Sequence, residues 1–381
     1  MISIASGHSA SYLTGQVGSG QEGYYTGAAG PGEPPGRWQG RGTEILGLRG
    51  EVDAEVIHAL YGRCLDPRDK RFADPATREE SARLGRAPKQ FRSPQQVVED
   101  RIRDHTREHA STPTPEQVQA WRIEAERRTH QAVMFQDVTY SPQKSVTVLH
   151  TAYSRAEVEA RAAGDTEAAD RWAYLVGQID EAIAAANDEA IAYGAEHGGY
   201  SRTGRHGGGA PGTWVDAHDL VVASFYQHTS RDHDPQLHVH NAILNRVQCP
   251  DGRWRALDGN AVYATIQGAG AVASSRLMAE LSGRLGVDWR LREDGNDFEI
   301  ASIDQPVMDL FSTRRATLTE RAEELIEAAE ARYGRTLTSS AASCTCRPPW
   351  ARGPRSHTSR GPARSSWTSG TPGCNACWRA A

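Results

Sequence analysis

Three observations predict a chain of mixed helices and strands, α/β or α+β in class. Apolar residues recur at helical spacing in one long stretch, at Trp172, Val176, Ile179 and Ile183. Runs of strand length stand apart from it, at 220–226 and 237–244. Between two strand-like runs sits Asp251-Gly252, a pair that favours a hairpin turn because both residues tolerate positive φ.

Taken in order, residues 15–43 are Gly/Pro-rich and predict a long loop carrying Tyr24, Tyr25 and Trp38. Residues 63–112 are crowded with charge and predict a solvated face, although Phe72 and Phe91 among them would also suit a nucleic-acid strand. Residues 114–128 look helical, and 131–149 (QAVMFQDVTYSPQKSVTVL) alternate toward a strand. Ser154-x-x-Glu157 resembles a capping box, opening a helix that runs to about 197 with a break near Gly164. Its apolar stripe predicts core packing, not a cofactor box. A glycine-rich loop with Arg202, Arg205 and His206 follows, then the strands 220–226 and 237–244, the second leading through Pro250-Asp251-Gly252 into 253–257. Leu277, Leu281 and Leu285 mark a further helix, and 305–333 a last helical region.

From Thr338 to Ala381 there is no acidic residue and no large aliphatic one, while four of the six cysteines fall there. Such a segment cannot build an apolar core and is expected to be disordered. It reads as an out-of-frame or truncated end. The other reading is a zinc site on Cys344-x-Cys346 and Cys374-x-x-Cys377. The organisation expected is a domain over 1–337 and a tail over 338–381.

The net charge of −5 over 381 residues excludes a uniformly basic coat protein, but not local basic patches. Only three of the 43 basic residues are lysine, and the arginine fork suits phosphate. No apolar run approaches the ~18 residues of a membrane span. The N-terminus MISIASGHSAS lacks the basic and apolar parts of a secretory signal. Six cysteines in so long a chain are no disulfide framework, so a reducing, cytoplasmic compartment and no membrane insertion are expected.

The densest cluster of potential ligands runs from Gln227 to His240. On a strand, positions i and i+2 share a face, so His238 and His240 point one way and Leu237 and Val239 the other. Two imidazoles on one face make a platform for a divalent metal, with His228 offering a third nitrogen. An isolated H-x-H pair often means nothing, and it also occurs in cupin-like oxygenases and in hydrolases that use a catalytic histidine. The nearby extra histidine and the apolar strand before it favour the metal. For a nucleophile there is no G-x-S-x-G elbow, and the candidates are Tyr12 and the pair Tyr24-Tyr25. A phenol has a pKa near 10, so ionising it at neutral pH costs about 4 kcal/mol, and a base or metal must lower that cost. Asp137, in FQDVTYS, is a plausible base; its bland reading is an ordinary Asp at a strand edge.

These blocks, in this order, resemble the N-terminal relaxase domain of conjugative relaxase–helicases, the MobF class of HUH endonucleases. SASYLTG and YYTGAAGPGEPPGRWQGRGTEILGLRGEVD are similar to the family's tyrosines and following block. QDVTYSPQKSV and HTSRDHDPQLHVHNAILN are similar to its acidic and histidine motifs, and DGRWRALDG to FSTRR continues the pattern to about residue 335. The resemblance implies an α+β fold, a central antiparallel sheet with flanking helices (the HUH palm), followed by a C-terminal helical region and the disordered tail. It implies a single-strand DNA transesterase. A tyrosine hydroxyl attacks a phosphate at a plasmid origin of transfer, leaving a 5′-phosphotyrosyl link and a free 3′-hydroxyl. By position Tyr12 is the first nucleophile, Tyr24 or Tyr25 belongs to the second pair, Asp137 is the activating carboxylate, and His238 and His240 are two of three metal ligands. Implied partners are single-stranded or hairpin origin DNA, relaxosome accessory proteins and a type IV secretion coupling protein. Lys144, Arg202, Arg231, Arg253 and Arg255 are the candidate DNA contacts, with Arg205, Trp38 and Trp254 beside them. Imidazoles alone favour zinc or a later transition metal, whereas the resemblance implies magnesium or manganese.

Three departures stand out. The first tyrosine pair is Tyr12-Leu13, the first metal-histidine position holds Gln227 with His228 one residue later, and no G-x-x-x-x-G-K-[ST] motif is present. The competing readings are a rolling-circle replication initiator with the same chemistry, a cupin-like metal oxygenase, and a truncated product that merely binds DNA.

Overall fold

The computed structural model describes residues 1–10, 13, 35–89, 91–128, 131–207, 210–230 and 234–313, with 317, 319–321, 323–324 and 326–327. Two compact units share them: residues 1–93 with 129–311, and residues 94–128 with 312–381. In the smaller unit two helices, Pro94–His109 and Pro115–Arg128, pair through Arg101–Glu124 (2.6 Å) and the rings of His105 and Trp121 (5.7 Å between centroids).

The larger unit is built on a five-stranded sheet. Its strands are β1 (Ile2–Gly7), β2 (Arg37–Gln39), β3 (Phe135–Tyr140), β6 (Val222–Thr229) and β7 (Pro235–Leu244), ordered β1-β3-β7-β6-β2. Every neighbouring pair is antiparallel, and the α+β class holds. Between β3 and β6 lie the hairpin strands β4 (Tyr200–Gly207) and β5 (Ala210–Asp216).

The sheet is covered on both faces, so apolar residues of its central strands are buried on either side. On one face Phe135, Ala223, Phe225, Ala242 and Leu244 pack with Trp38 and with Ile57, Leu60 and Tyr61 of the helix Ala54–Arg63. The Tyr61 hydroxyl donates to the Ala242 carbonyl at 2.7 Å, so this buried ring keeps its polar atom satisfied. The other face meets three long helices, Lys144–Ala162, Thr166–Gly198 and Gly259–Leu285, through Tyr140, Leu237 and Val239 against Ile179, Ile183 and Leu277. A buried polar pair crosses this layer. Asn187 and Asn241 exchange side-chain amide hydrogen bonds of 3.0 and 2.7 Å, and Asn241 also donates to the Val138 carbonyl.

Several expectations change. In 131–149 only 135–140 is strand. Residues 141–143, with Pro142, end it, and a helix begins at Lys144 despite the β-branched sequence SVTV, with Val146 buried in the core cluster. Ser154-x-x-Glu157 therefore lies inside a helix and caps nothing. The break near Gly164 is present: Gly164 has φ 77°, and Asp165 caps the next helix by accepting from the Ala168 amide. Strand 237–244 pairs with β3 and β6. The Asp251-Gly252 turn joins two-residue strands instead, β8 (Val247–Gln248) and β9 (Trp254–Arg255), with Gly252 at φ 74°. The 305–333 region opens with a short helix, Gln305–Leu310, preceded by the two-stranded β10 (Trp289–Leu291) and β11 (Phe298–Ile300). Residues 338–381 lie outside the described residues. No described helix is long and apolar enough to cross a membrane.

Candidate active site

Strand alternation assembles the site. Across β3, β7 and β6 the facing pairs are Thr139 with His240, Phe225 with His240, and Gln227 with His238. Facing residues of an antiparallel pair share a face, so Asp137, Thr139, Gln227, His238 and His240 continue the face that Phe135 and Ala242 make apolar further along. The site is the polar end of an otherwise apolar sheet face.

The two imidazoles are fixed. Their ring centroids are 4.9 Å apart, at an interplanar angle of 70°. His238 Nδ1 lies 2.9 Å from the Gln236 carbonyl, which can only accept, so Nδ1 carries the proton. His240 Nδ1 lies 3.1 Å from each Asp137 carboxylate oxygen and 3.0 Å from the Thr139 hydroxyl. With the proton on Nδ1, each ring keeps an Nε2 lone pair, the arrangement in which an outer partner orients a ligating histidine. The residues fit a divalent cation on that ground. Asp137, 7% exposed, faces His240 with both carboxylate oxygens.

His228 does not join them. A register shift between Gln227 and Thr229 puts an extra residue in β7, where Gln236 and Leu237 together stand opposite His228. Gln227 stays opposite His238, while His228 lies beside Tyr226 (4.7 Å between ring centroids) and within 4.8 Å, donor atom to donor atom, of His150 and Asp180. Of the three expected histidines, His238 and His240 share a face with Gln227, and His228 lies on the other.

The arginines and aromatics also change meaning. Arg202 pairs with Asp258 at 2.5 Å and stacks over Trp214, and Arg255 pairs with Asp251 through both its terminal nitrogens. The Lys144 ammonium donates to the Pro235 carbonyl at 2.8 Å, and burial holds its pKa below the usual lysine value against the pull of Asp234 and Glu299. Arg253 is exposed in its turn. Trp38 and Trp254 are buried in the core beside the sheet, and Phe72 packs with Ala59 and Leu65 under the Arg78 guanidinium, so none of the three offers a stacking face. Tyr12, Tyr24, Tyr25 and Arg231 lie outside the described residues, as does the Arg205 side chain.

Sequence reasoning missed Thr139, His150 and Asp180. Thr139 carried a signal, since it stands two residues after Asp137 on a strand. His150 and Asp180 are far from His228 in sequence and sit on helices, with no local pattern joining them.

The family model for TrwC relaxase matches residues 6–356. No curated protein matches. Among solved structures the chain is similar to the conjugative relaxase TrwC in complex with oriT DNA. The metal-free form is 23% identical over 93% of each chain, with a TM-score of 0.51. The copper-bound form is 23% identical over 93% of this chain and 94% of that one, with a TM-score of 0.51. At that identity the likeness speaks for the fold. The family match covers most of the length and includes the tyrosine, acidic and histidine blocks, so the chain belongs to the TrwC relaxase family.

Proposed function

We propose that this chain nicks and rejoins one DNA strand at an origin of transfer, with Tyr12 as the first nucleophile and Tyr24 or Tyr25 in the second step. The observation that carries the assignment is the family match from residue 6 to 356 on a sheet whose polar end holds two oriented imidazoles. As a relaxase of this family it is a DNA-nicking transesterase with a divalent metal cofactor. The cupin-like reading is disfavoured by the fold, because a cupin is a double-sheet jelly roll, whereas here one five-stranded sheet is packed between helices. A replication initiator is disfavoured by the family.

In the reaction the Tyr12 phenol loses its proton and its oxygen attacks the scissile phosphorus. The bond to the 3′ oxygen breaks, that oxygen takes up a proton, and the 5′ phosphate stays on the tyrosine. One high-energy ester replaces another, so the reverse attack reseals the strand. Support for Tyr12 comes from its chain neighbour Leu13, which is buried in the core cluster against the same sheet face as Ala242 and Phe225. His238 and His240 would hold the metal through Nε2, with the Gln227 side chain as a further donor. The bound cation supplies positive charge that polarises a phosphate oxygen and offsets the cost of ionising a phenol. Asp137, the activating carboxylate by position in the family, also keeps His240 in the ligating tautomer. The DNA partner is the origin strand or its hairpin; the accessory proteins and the coupling protein are the partners implied for transfer. The relaxase domain extends over 1–337.

The test is incubation with origin-derived oligonucleotides and metal, followed by denaturing electrophoresis. The wild type gives a covalent protein–DNA band, and Tyr12→Phe abolishes it. A band that survives both Tyr12→Phe and the Tyr24→Phe/Tyr25→Phe double variant removes the tyrosine assignment.

A further inference from the structure

We propose that His150, Asp180 and His228 form a second cation site, for a zinc-like divalent transition ion, on the helical side of the sheet and separate from the His238/His240 face. His150 comes from the helix Lys144–Ala162, Asp180 from the helix Thr166–Gly198, and His228 from the irregular end of β6. Each offers one donor atom, and the three atoms lie within 4.8 Å of one another.

The decisive detail is His150. Its side chain is 8% exposed, and its Nε2 sits 3.1 Å from an Asp180 carboxylate oxygen. That nitrogen is buried, yet it makes no hydrogen bond. A buried polar nitrogen left in that position costs free energy unless something else engages it, and a cation held jointly with Asp180 would. The surroundings are those of a ligand set. The Tyr226 hydroxyl donates to Asp180 at 2.8 Å, fixing the carboxylate from outside, and the His150 and His228 rings lie 5.5 Å apart. Two imidazoles and one carboxylate form a borderline donor set, suited to zinc and its neighbours rather than to magnesium, and three protein ligands leave one position for water.

Alternation along β6 explains why one strand serves two sites. Gln227 faces His238, and His228, the next residue, turns with Tyr226 to the opposite face, toward the helices. An ion there ties two helices to the end of the strand that carries Gln227.

The experiment is a cobalt(II) titration of the full chain after chelator treatment, read by visible absorption and by metal analysis after desalting. The variant His238→Ala/His240→Ala is expected to keep one tightly bound equivalent. Adding Asp180→Asn to it is expected to remove that equivalent while far-UV circular dichroism stays unchanged. If Asp180→Asn fails to fold, His150→Gln in the same background serves instead, with the same expected loss. The proposal is overturned if His238→Ala/His240→Ala binds no cobalt, or if either added substitution leaves the equivalent in place. Because the readout is metal and not DNA adduct, its failure is separable from failure of the relaxase assignment.

Discussion

At the scale of residues, the site shows what a strand pattern can and cannot give. His238 and His240 were legible because alternation along β7 is local, and Asp137 was legible as a polar residue in a strand. Its pairing with His240 was not, since His240 lies 103 positions away and only the register of β3 on β7 brings them to 3.1 Å. A carboxylate that orients a ligating imidazole is worth roughly 10- to 100-fold in metal affinity. Asp137→Asn keeps the shape and removes the charge, so the metal concentration giving half-maximal nicking should rise by about that factor; an unchanged midpoint would contradict the role. Lys144 makes a different prediction. Its buried ammonium has a pKa below the ordinary lysine value of about 10.4. Between the two values the unfolded chain holds a proton that the folded chain has released, so stability rises with pH across that window. Denaturant unfolding from pH 8.5 to 10.5 should show the wild type gaining stability relative to Lys144→Gln as pH increases. A difference that stays flat or reverses rules this out.

At the scale of elements, the strands β6 and β7 and the long helices were readable from periodicity, whereas the start of the helix at Lys144 was hidden by a sequence whose intrinsic preference is for strand. Tertiary burial of Val146 overrode that preference. The break at Gly164 was legible, and its reason is conformational. Gly164 has φ 77°, and the amides of Gly164 and Asp165 return to the carbonyls of Arg161 and Ala160 to close the helix end. A Cβ there meets nothing within 4 Å, so the cost of Gly164→Ala is that of the left-handed backbone alone, about 1 kcal/mol. Gly177 lies inside the following helix, also with open space around its Cβ position. There the same substitution should stabilise by about 0.5–1 kcal/mol. Urea unfolding of both variants checks the pair, and effects of equal sign would mean that the backbone argument fails.

At the scale of the whole molecule, an acidic chain must still hold DNA. The sequence suggested a local basic track, but whether an arginine is free depends on long-range packing that no spacing reveals. Arg37 lies 2.9 Å from Asp188, Arg71 2.8 Å from Asp69, Arg202 2.5 Å from Asp258 and Arg255 2.6 Å from Asp251. Arginines neutralised within the fold release few counterions when a phosphate arrives. For single strands the logarithm of affinity falls with the logarithm of salt at about 0.7 per phosphate neutralised. With a net charge of −5 and so many internal pairs, the slope for an origin oligonucleotide should be shallow, no steeper than about −4, with affinity carried by shape and by contacts at the nicking site. Fluorescence anisotropy across a salt series, using a Tyr12→Phe chain to prevent covalent capture, measures it directly. A slope near −7, about ten phosphates by the same relation, would require a continuous basic track and would mean that these ion pairs open on binding.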